Sequence, residues 1–334
     1  MRAQPKLATQ TLGSAGSADV ASVSAPRPTV NPGDRIFYLI AKGIALTVIL
    51  LALLLVADLL RGSWESIQQF GVRFLIGTTW DPVQREFSTL PTIIGTLVKG
   101  IIALLLAIPI SIGSAIFLTF YTPRWLRPII SYPIELLAGI PSVIFGLWGL
   151  FAMVPVIRVI QMWLKSNFGW FPLFDGPAVY GIGVLSGSVI LAIMITPIIA
   201  AISKEILLTV PRPQMEGMLA LGATKWEAIW NVALPYSRIG LIGAVILGLG
   251  RAVGETMAVT MVGGNSFQLI HSLFDPVHSM ASQIASEFTE ATYSLYVSSL
   301  IYVGLTLFGI TMLISLLAQL LIWRLSKGKL AILD

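Results

Sequence analysis

Two opposite charges lie close together in a stretch of the chain that is otherwise apolar. Arg251 and Glu255 are four residues apart, within a hydrophobic run that extends over 239–262. At helical spacing the two side chains would share one face of a helix, where they could pair. Each ionised side chain at the centre of a bilayer costs about 2.5–3.5 kcal/mol when unpaired. The pattern therefore predicts either a structural ion pair or a polar path near the membrane midplane.

The residue types favour a path for an anion. A guanidinium group stays charged and carries five N–H donors, which suits an oxyanion with several acceptor oxygens. We predict that Arg251, Glu255 and Thr256 line a substrate path, with Glu255 balancing Arg251 when no anion is present. The alternative is an ion pair that only stabilises the bundle.

A glycine and a proline interrupt another apolar run. Within the stretch 137–143, Gly139 and Pro141 would free backbone groups, which a bilayer tolerates only where they are buried or line a cavity. Gly139, Pro141 and Ser142 are therefore predicted to belong to the path or to a hinge.

Four other polar side chains are expected to be structural. Lys99 would extend its ammonium towards the outer end of its helix, and Glu135 would reach water or a basic residue of a loop. His271 and His278 are seven residues apart and are expected to be solvated loop histidines and not metal ligands.

A polar segment between two apolar runs carries a further pattern. Residues 216–235 read EGMLALGATKWEAIWNVALP, with a glycine six residues after the glutamate and Leu-Pro at the end. The segment predicts a short helix along the membrane surface, in which the glycine allows close approach to a partner and the proline starts the next span. The alternative is a plain amphipathic interfacial helix. The residues predicted to contribute to the partner contact are Glu216, Leu219, Ala220, Gly222, Ala223, Leu234 and Pro235.

The composition is that of a membrane protein. Of 334 residues, 56% are hydrophobic and only 11% are charged, whereas a soluble domain is about a quarter charged. These values exclude an ordinary soluble enzyme, a disordered chain and a collagen-like fibre. The chain has no cysteine, and the P-loop motif G-x4-G-K-[ST] is absent from its sequence. The net charge of +5 is typical of basic cytoplasmic loops and does not indicate nucleic-acid binding.

Six apolar runs are long enough to cross a bilayer as helices. They are 36–60, 92–120, 129–153, 178–203, 239–262 and 295–323. Thirteen Lys and Arg residues lie in the connections on one side and five in those on the other, which predicts that both termini are cytoplasmic. The predicted fold is an all-α membrane protein with six transmembrane helices.

Four regions are expected along the chain. Residues 1–34 would be a disordered cytoplasmic tail, without a cleavable signal peptide. Residues 35–90 would form the first transmembrane helix and an external amphipathic segment. Residues 91–325 would form the core transmembrane domain, and 326–334 a cytoplasmic C-terminus.

Several of these stretches resemble a known family. Residues 216–235 resemble the EAA loop of ABC importer permeases, E-A-A-x3-G-x9-I-x-L-P, with Gly217 and Met218 in place of the alanines and Val232 in place of the isoleucine. Stretches 93–118, 134–151 and 250–265 resemble phosphate importer permeases of the PstC type. The likeness covers roughly 60–325, and RAVGET at 251–256 is its most specific part.

The resemblance implies a type I ABC importer permease in a bacterial plasma (inner) membrane that imports phosphate by alternating access. It implies a paralogous PstA-type permease, two copies of a PstB-type ATPase and an external PstS-type phosphate-binding protein as partners. ATP and Mg²⁺ would bind to the ATPase, so this chain would carry no cofactor or metal and would not be an enzyme. Arg251 and Glu255 would be transport-critical, and 216–235 would dock into the ATPase.

Three alternatives stay open at this point. The chain could be a permease for sulfate or molybdate, the paralogous PstA-type phosphate permease, or a stand-alone channel or regulatory membrane protein.

Overall fold

The computed structural model describes residues 32–176, 178 and 180–330. Of the predicted tail, 1–31 lie outside the described residues, while 32–34 begin the first helix. Residues 331–334 of the predicted C-terminal segment also lie outside them. The chain divides into two compact units, Met1–Leu54 and Leu55–Asp334. The described part of the first unit is continuous helix, and all the packing below lies within the second unit.

The described residues are mainly helical, with one isolated β-bridge between Asp81 and Glu86. The α-helices are α1 (Pro32–Gly62), α2 (Trp64–Phe70), α3 (Arg73–Ile76), α4 (Leu90–Ile116), α5 (Arg127–Ala138), α6 (Ser142–Trp148), α7 (Val154–Phe168), α8 (Val184–Leu208), α9 (Arg212–Ala220), α10 (Lys225–Ala228), α11 (Leu234–Val253), α12 (Met257–Val262), α13 (Met280–Glu287) and α14 (Ser294–Leu330). Turns of π-helix extend or join them at Phe117–Tyr121, Gly149–Met153 and Ile229–Ala233. A 3-10 turn lies at Pro172–Phe174.

Six helices among the described residues are long and apolar enough to cross a membrane, as predicted. They are Arg35–Gly62, Leu90–Tyr121, Ser142–Phe168, Val184–Leu208, Lys225–Val253 and Ser294–Arg324.

Two of the predicted spans are placed wrongly. The third span is Ser142–Phe168 and not 129–153, because the break before Ser142 leaves 127–138 as a separate short helix that contains Pro133. The fifth span is Lys225–Val253 and not 239–262, because continuous helix leads from Lys225 into α11 and the chain leaves that helix before α12 begins. In both places the helix is interrupted although the run of apolar residues in the sequence is continuous.

The core of the second unit is built around α8. In the most apolar 18-residue stretch of α8, 61% of the residues are buried, whereas 33% are buried in the corresponding stretch of the Leu90–Tyr121 helix. Ala103 and Ala107 of α4 pack with Ile195 and Ile199 of α8 in one buried cluster. Small residues on α4 let the two helices approach closely, which is the usual means of helix packing in lipid.

Glu135 reaches a basic residue, although that residue, Lys204, lies on helix α8 and not in a loop as expected. The Lys204 ammonium lies 2.9 Å from the Glu135 carboxylate and 3.2 Å from that of Glu205. Lys204 is nearly buried, whereas Glu135 is half exposed. The pair connects α5 to α8, as expected of a structural charge.

An aromatic cluster joins the segment 64–89 to α13 and α14. Phe74 stacks on Tyr302 with ring centroids 4.2 Å apart, and Phe87 stacks on Tyr296 at 5.4 Å. The Trp80 indole and the Tyr296 hydroxyl both donate hydrogen bonds to the Glu287 carboxylate. Burial raises the pKa of Glu287, and these two hydrogen bonds oppose that shift.

The segment between α12 and α13 folds back against α4 and α8. The first N–H groups of α8 have no partners within that helix, and the backbone N–H of Gly183, Val184 and Leu185 instead donate to carbonyls of Val262, Asp275 and Leu273. The N–H of Met280 donates to the Thr96 hydroxyl at 2.9 Å. Loop backbone that would be unsatisfied in lipid is thereby paired with the ends of helices.

Gly95 provides the closest approach between α4 and this segment. A Cβ atom at Gly95 would lie 2.2 Å from the carbonyl oxygen of His278, whereas one at Gly113 of the same helix would meet nothing within 4 Å. We predict that Gly95→Ala lowers the stability of the purified protein by about 1–3 kcal/mol through overpacking. Gly113→Ala is the matched control and should be nearly neutral. Thermal unfolding in detergent measures both, and equal midpoints for the two variants would contradict this packing.

Candidate functional site

The predicted ionic site lies at an interruption of the fifth span. Helix α11 ends at Val253, Gly254 follows as its C-cap, and α12 begins at Met257 after Thr256. Arg251 and Glu255 therefore do not share the face of one helix, and the alternative of a structural ion pair through four-residue spacing is not observed. Both salt bridges found among the described residues involve Lys204, so neither Arg251 nor Glu255 has an ion-pair partner within 4 Å there.

The two charges have different surroundings. Arg251 is exposed in this chain, in the last turn of α11. Glu255 is only 8% exposed, and its Oε1 accepts a hydrogen bond from the N–H of Ala258 at 3.3 Å, which satisfies a free amide at the start of α12. The half-buried Thr256 donates its hydroxyl to the Gly254 carbonyl at 3.4 Å. The carboxylate is thus held by the backbone, while the guanidinium faces outward from the chain.

The second predicted interruption is confirmed as a break between α5 and α6. Gly139 caps α5, and Pro141, with ψ at 138°, precedes Ser142, the first residue of α6. One turn later, Gly146 packs on α12, where an added Cβ would lie 3.1 Å from the Ala258 Cα. Since Ala258 is the residue that donates to Glu255, α6 and α12 bring the two helix interruptions close together in the fold.

Lys99 is a third charge in this region, and its predicted position is wrong. The residue is 1% exposed, so its side chain is buried in the protein and does not extend to water. Its ammonium donates to the Val277 carbonyl. A Cβ at Gly187 would lie 3.2 Å from its Cδ, and one at Gly263 would lie 2.9 Å from its Nζ. Two glycines thus make the space that holds the buried Lys99 amine against the segment between α12 and α13.

One of the two histidines differs from the expectation of solvated loop residues. His271 is exposed, but His278 is 5% exposed. Burial and, next, the positive charge of Lys99 lower the pKa of His278 to about 4, so its imidazole is neutral at physiological pH. The described residues contain no group of three or more His, Asp or Glu side chains that could hold a metal ion.

The predicted surface helix is two helices joined by a glycine turn. Helix α9 ends at Ala220, and Gly222 follows with φ at +88°. The N–H of Gly222 donates to the Leu219 carbonyl at 3.0 Å, and the N–H of Ala223 donates to the Met218 carbonyl at 3.2 Å. This is the Schellman arrangement, which favours glycine in the left-handed position. Within this chain a Cβ at Gly222 would meet nothing within 4 Å, so close packing does not require a glycine at this position. The left-handed backbone at residue 222 explains it.

Most of the residues predicted for the partner contact are exposed. Glu216, Leu219 and Ala220 are exposed on α9, and Ala223 is half-buried in the turn. Leu234 packs against the buried cluster formed by residues that include Leu207, Ile229 and Leu241, and Pro235 lies in the first turn of α11, as predicted.

Sequence reasoning missed two aromatic residues beside this turn. Trp226 and Trp230 are 53% and 59% exposed, with ring centroids 5.8 Å apart. Two tryptophans four residues apart in a polar segment were a visible signal, because that spacing places them on one helix face.

Comparison with known proteins places this geometry in a class. Residues 107–327 match the family described as binding-protein-dependent transport system inner membrane component. A chain of the MetNI methionine ABC transporter in an inward-facing crystal form has a similar fold, with a TM-score of 0.55 at 18% identity, covering 74% of this chain and 99% of that one. The predicted fold, an all-α ABC importer permease with six transmembrane helices, is confirmed.

More similar relatives share a single name. The phosphate transport system permease protein PstC of Haemophilus influenzae is 49% identical over 289 residues, which cover 85% of this chain and 91% of that protein. PstC of Xylella fastidiosa strain 9a5c is 45% identical over 316 residues, covering 90% and 97%. The probable PstC of Methanocaldococcus jannaschii is 35% identical over 291 residues, covering 84% and 91%.

The chain belongs to the family of binding-protein-dependent transport system inner membrane components, and within it to the PstC phosphate permease proteins. It is a multi-pass membrane protein.

Proposed function

We propose that this chain is the permease subunit of an ATP-driven importer that moves inorganic phosphate into the cytoplasm by alternating access. Its likeness to proteins named phosphate transport system permease protein PstC supports this substrate over sulfate or molybdate. The same names favour it over the paralogous PstA-type permease, and the family match favours it over a stand-alone channel.

We further propose the assembly in which it works. The chain pairs with a PstA-type permease in a bacterial plasma (inner) membrane, with both termini in the cytoplasm. An external PstS-type protein delivers phosphate, and two copies of a PstB-type ATPase bind ATP and Mg²⁺ inside. The absence of a P-loop motif from this sequence supports ATP hydrolysis on another chain.

The unpaired, outward-facing guanidinium of Arg251 is the observation that carries the proposed path. A charged residue on the surface of a membrane domain is costly against lipid but favourable beside a second permease and a water-filled cavity. Its fork of donors matches two phosphate oxygens. Glu255 is held at the start of α12, so its negative charge limits how tightly an anion can stay near Arg251. Moderate affinity of this kind permits release.

Substitution of Arg251 tests the path. Arg251→Gln removes the charge. It should lower ATP-dependent uptake of labelled phosphate into proteoliposomes containing the full complex by about 10–100-fold, which corresponds to the loss of a hydrogen bond to a charged group. Arg324→Gln, which removes an exposed charge from α14, is the matched control and should transport normally. Excess sulfate and molybdate should not compete with the wild type. Normal uptake by an assembled Arg251→Gln complex would make Arg251 structural, and competition by sulfate or molybdate would change the substrate.

At the inner end we propose that α9, the glycine turn and α10 form the coupling surface for the ATPase. Leu219, Leu221, Trp226 and Trp230 are all exposed in this segment, so they supply apolar area that the described part of the chain leaves uncovered. Aromatic residues of this kind are enriched at the centres of protein interfaces. The Schellman turn fixes the angle between α9 and α10, so force applied to one is transmitted to the other and to α11.

Gly222→Trp tests the coupling surface. A Cβ at this position meets nothing within 4 Å, and the backbone strain of a side chain at φ +88° is confined to an exposed turn, so the bundle should stay folded while the bulky side chain blocks docking. We expect loss of ATPase co-purification and of uptake. Gly222→Asn is the control for the left-handed backbone, since asparagine tolerates it, and should keep most of both. Full ATP-driven uptake by Gly222→Trp would remove this assignment.

A further inference from the structure

A basic cavity of about 300 Å³ lies between α9 and the inner ends of α4 and α8. Its polar lining comes from Thr119, Arg124, Arg127, Arg212, Glu216 and Lys225. Four of these side chains are cationic and one is acidic. No carboxylate lies within ion-pair distance of the four cations among the described residues, where both salt bridges involve Lys204. The cavity therefore carries an excess of positive charge that the described part of the chain does not neutralise.

Two of the cations are held in place. The Arg127 guanidinium donates to the Leu118 carbonyl at 2.9 Å and to the Thr119 carbonyl at 2.7 Å. These are carbonyls of the π-helical turn that extends α4, whose last carbonyls lack helical partners. Lys225 lies over the Tyr121 ring at 4.8 Å. An arginine fixed in this way presents its remaining donors with little loss of side-chain entropy.

The accessible cations of the cavity point to a ligand that carries negative charge. Arg124, Arg212 and Lys225 are exposed, and Arg127 is half-buried. Thr119 also lines the cavity, but its hydroxyl oxygen is buried, so the cations are the groups that a ligand there can reach. A ligand with acceptor oxygens would accept from these guanidinium and ammonium groups and would neutralise them.

The level of the cavity relative to a bilayer is indicated by Trp125 between Arg124 and Arg127. Trp125 is 71% exposed, and Tyr121 beside Lys225 is 46% exposed. Exposed tryptophan and tyrosine mark the depth of lipid headgroups. Basic cavities at the inner ends of membrane helices suit the phosphate groups of anionic lipids, and they suit free phosphate by the same chemistry.

We propose that this cavity binds a phosphate group, from either an anionic phospholipid or free cytoplasmic phosphate. Since α9 supplies Arg212 and the bundle supplies Arg127, a bound phosphate group would hold α9 against the inner ends of α4 and α8. The site is separate from Arg251, so its occupancy would act on the coupling surface and not on the transport path.

The experiment uses the assembled complex carrying Arg124→Gln together with Arg212→Gln, with Arg324→Gln as the control for charge removed elsewhere.

In nanodiscs of phosphatidylcholine and phosphatidylglycerol, native mass spectrometry counts the phosphatidylglycerol molecules retained. In nanodiscs of phosphatidylcholine alone, labelled inorganic phosphate is titrated. Loss of one phosphatidylglycerol molecule per complex in the double variant but not in the control supports the proposal and identifies a lipid headgroup as the ligand. At least tenfold weaker binding of inorganic phosphate in the double variant but not in the control supports the proposal and identifies free phosphate as the ligand. Phosphate binding here should persist in Arg251→Gln, which separates this test from that of the path.

The single variant Arg124→Gln keeps the test valid if the double variant fails to assemble. Arg124 is exposed and forms no salt bridge among the described residues, so its replacement should leave the fold intact. In a phosphate-group site the loss of this cation should weaken binding several-fold while assembly stays intact. Unchanged lipid retention and unchanged phosphate binding in Arg124→Gln would overturn the proposal. The same result in an assembled double variant would also overturn it, as expected of a cavity filled by a carboxylate of the ATPase.

Discussion

The structure depends on one constraint, which is that a helix interrupted inside a membrane must have its freed backbone groups paired within the protein. Two apolar runs are interrupted, one just before the third span begins at Ser142 and one just after the fifth span ends at Val253. At the second break, the Glu255 carboxylate accepts a hydrogen bond from a backbone N–H at the start of α12. The segment that follows α12 is fixed in turn, because its carbonyls accept hydrogen bonds from the first backbone N–H groups of α8. Lys99 adds a buried charge that holds the Val277 carbonyl.

This constraint explains why the charges are separated and not paired. A continuous fifth span would have placed Arg251 and Glu255 on one face as a neutral pair. The break instead turns Glu255 towards the start of α12 and leaves Arg251 exposed at the end of α11. Irregular backbone next to charged side chains at the junction of broken helices is the form that substrate sites take in many transporters. The same pairing that stabilises the break therefore makes a guanidinium available to an anion.

Much of the fold was predictable because it depends on local composition. Continuous apolar runs identified six spans, and the Gly-Ile-Pro sequence at 139–141 correctly predicted a break. The spacing of Glu216, Gly222 and Pro235 identified a surface segment, although the reason for Gly222 is its left-handed backbone and not close packing. The break after Val253 was missed, since Gly254 alone is common in membrane helices and hydropathy continues through it.

What the sequence could not give are contacts between distant segments. The burial of Lys99 depends on Gly187 and Gly263, and its carbonyl partner is 178 residues away. The basic cavity joins Arg124 and Arg127 to Arg212 and Lys225, which in the sequence are simply charges of two inner connections. Such proximity follows from the packing of α4, α8 and α9, which no periodicity specifies.

The measurement that tests the central claim most directly is thiol accessibility at the break. The chain has no cysteine, so Thr256→Cys introduces a thiol at the proposed path, and Leu247→Cys introduces one on an exposed apolar face of α11. In the assembled complex, an anionic methanethiosulfonate reagent should modify Cys at 256 much faster than at 247, and phosphate should slow the reaction at 256 only. Equal rates at the two positions, or no protection by phosphate, would contradict a phosphate path at the interruption between α11 and α12.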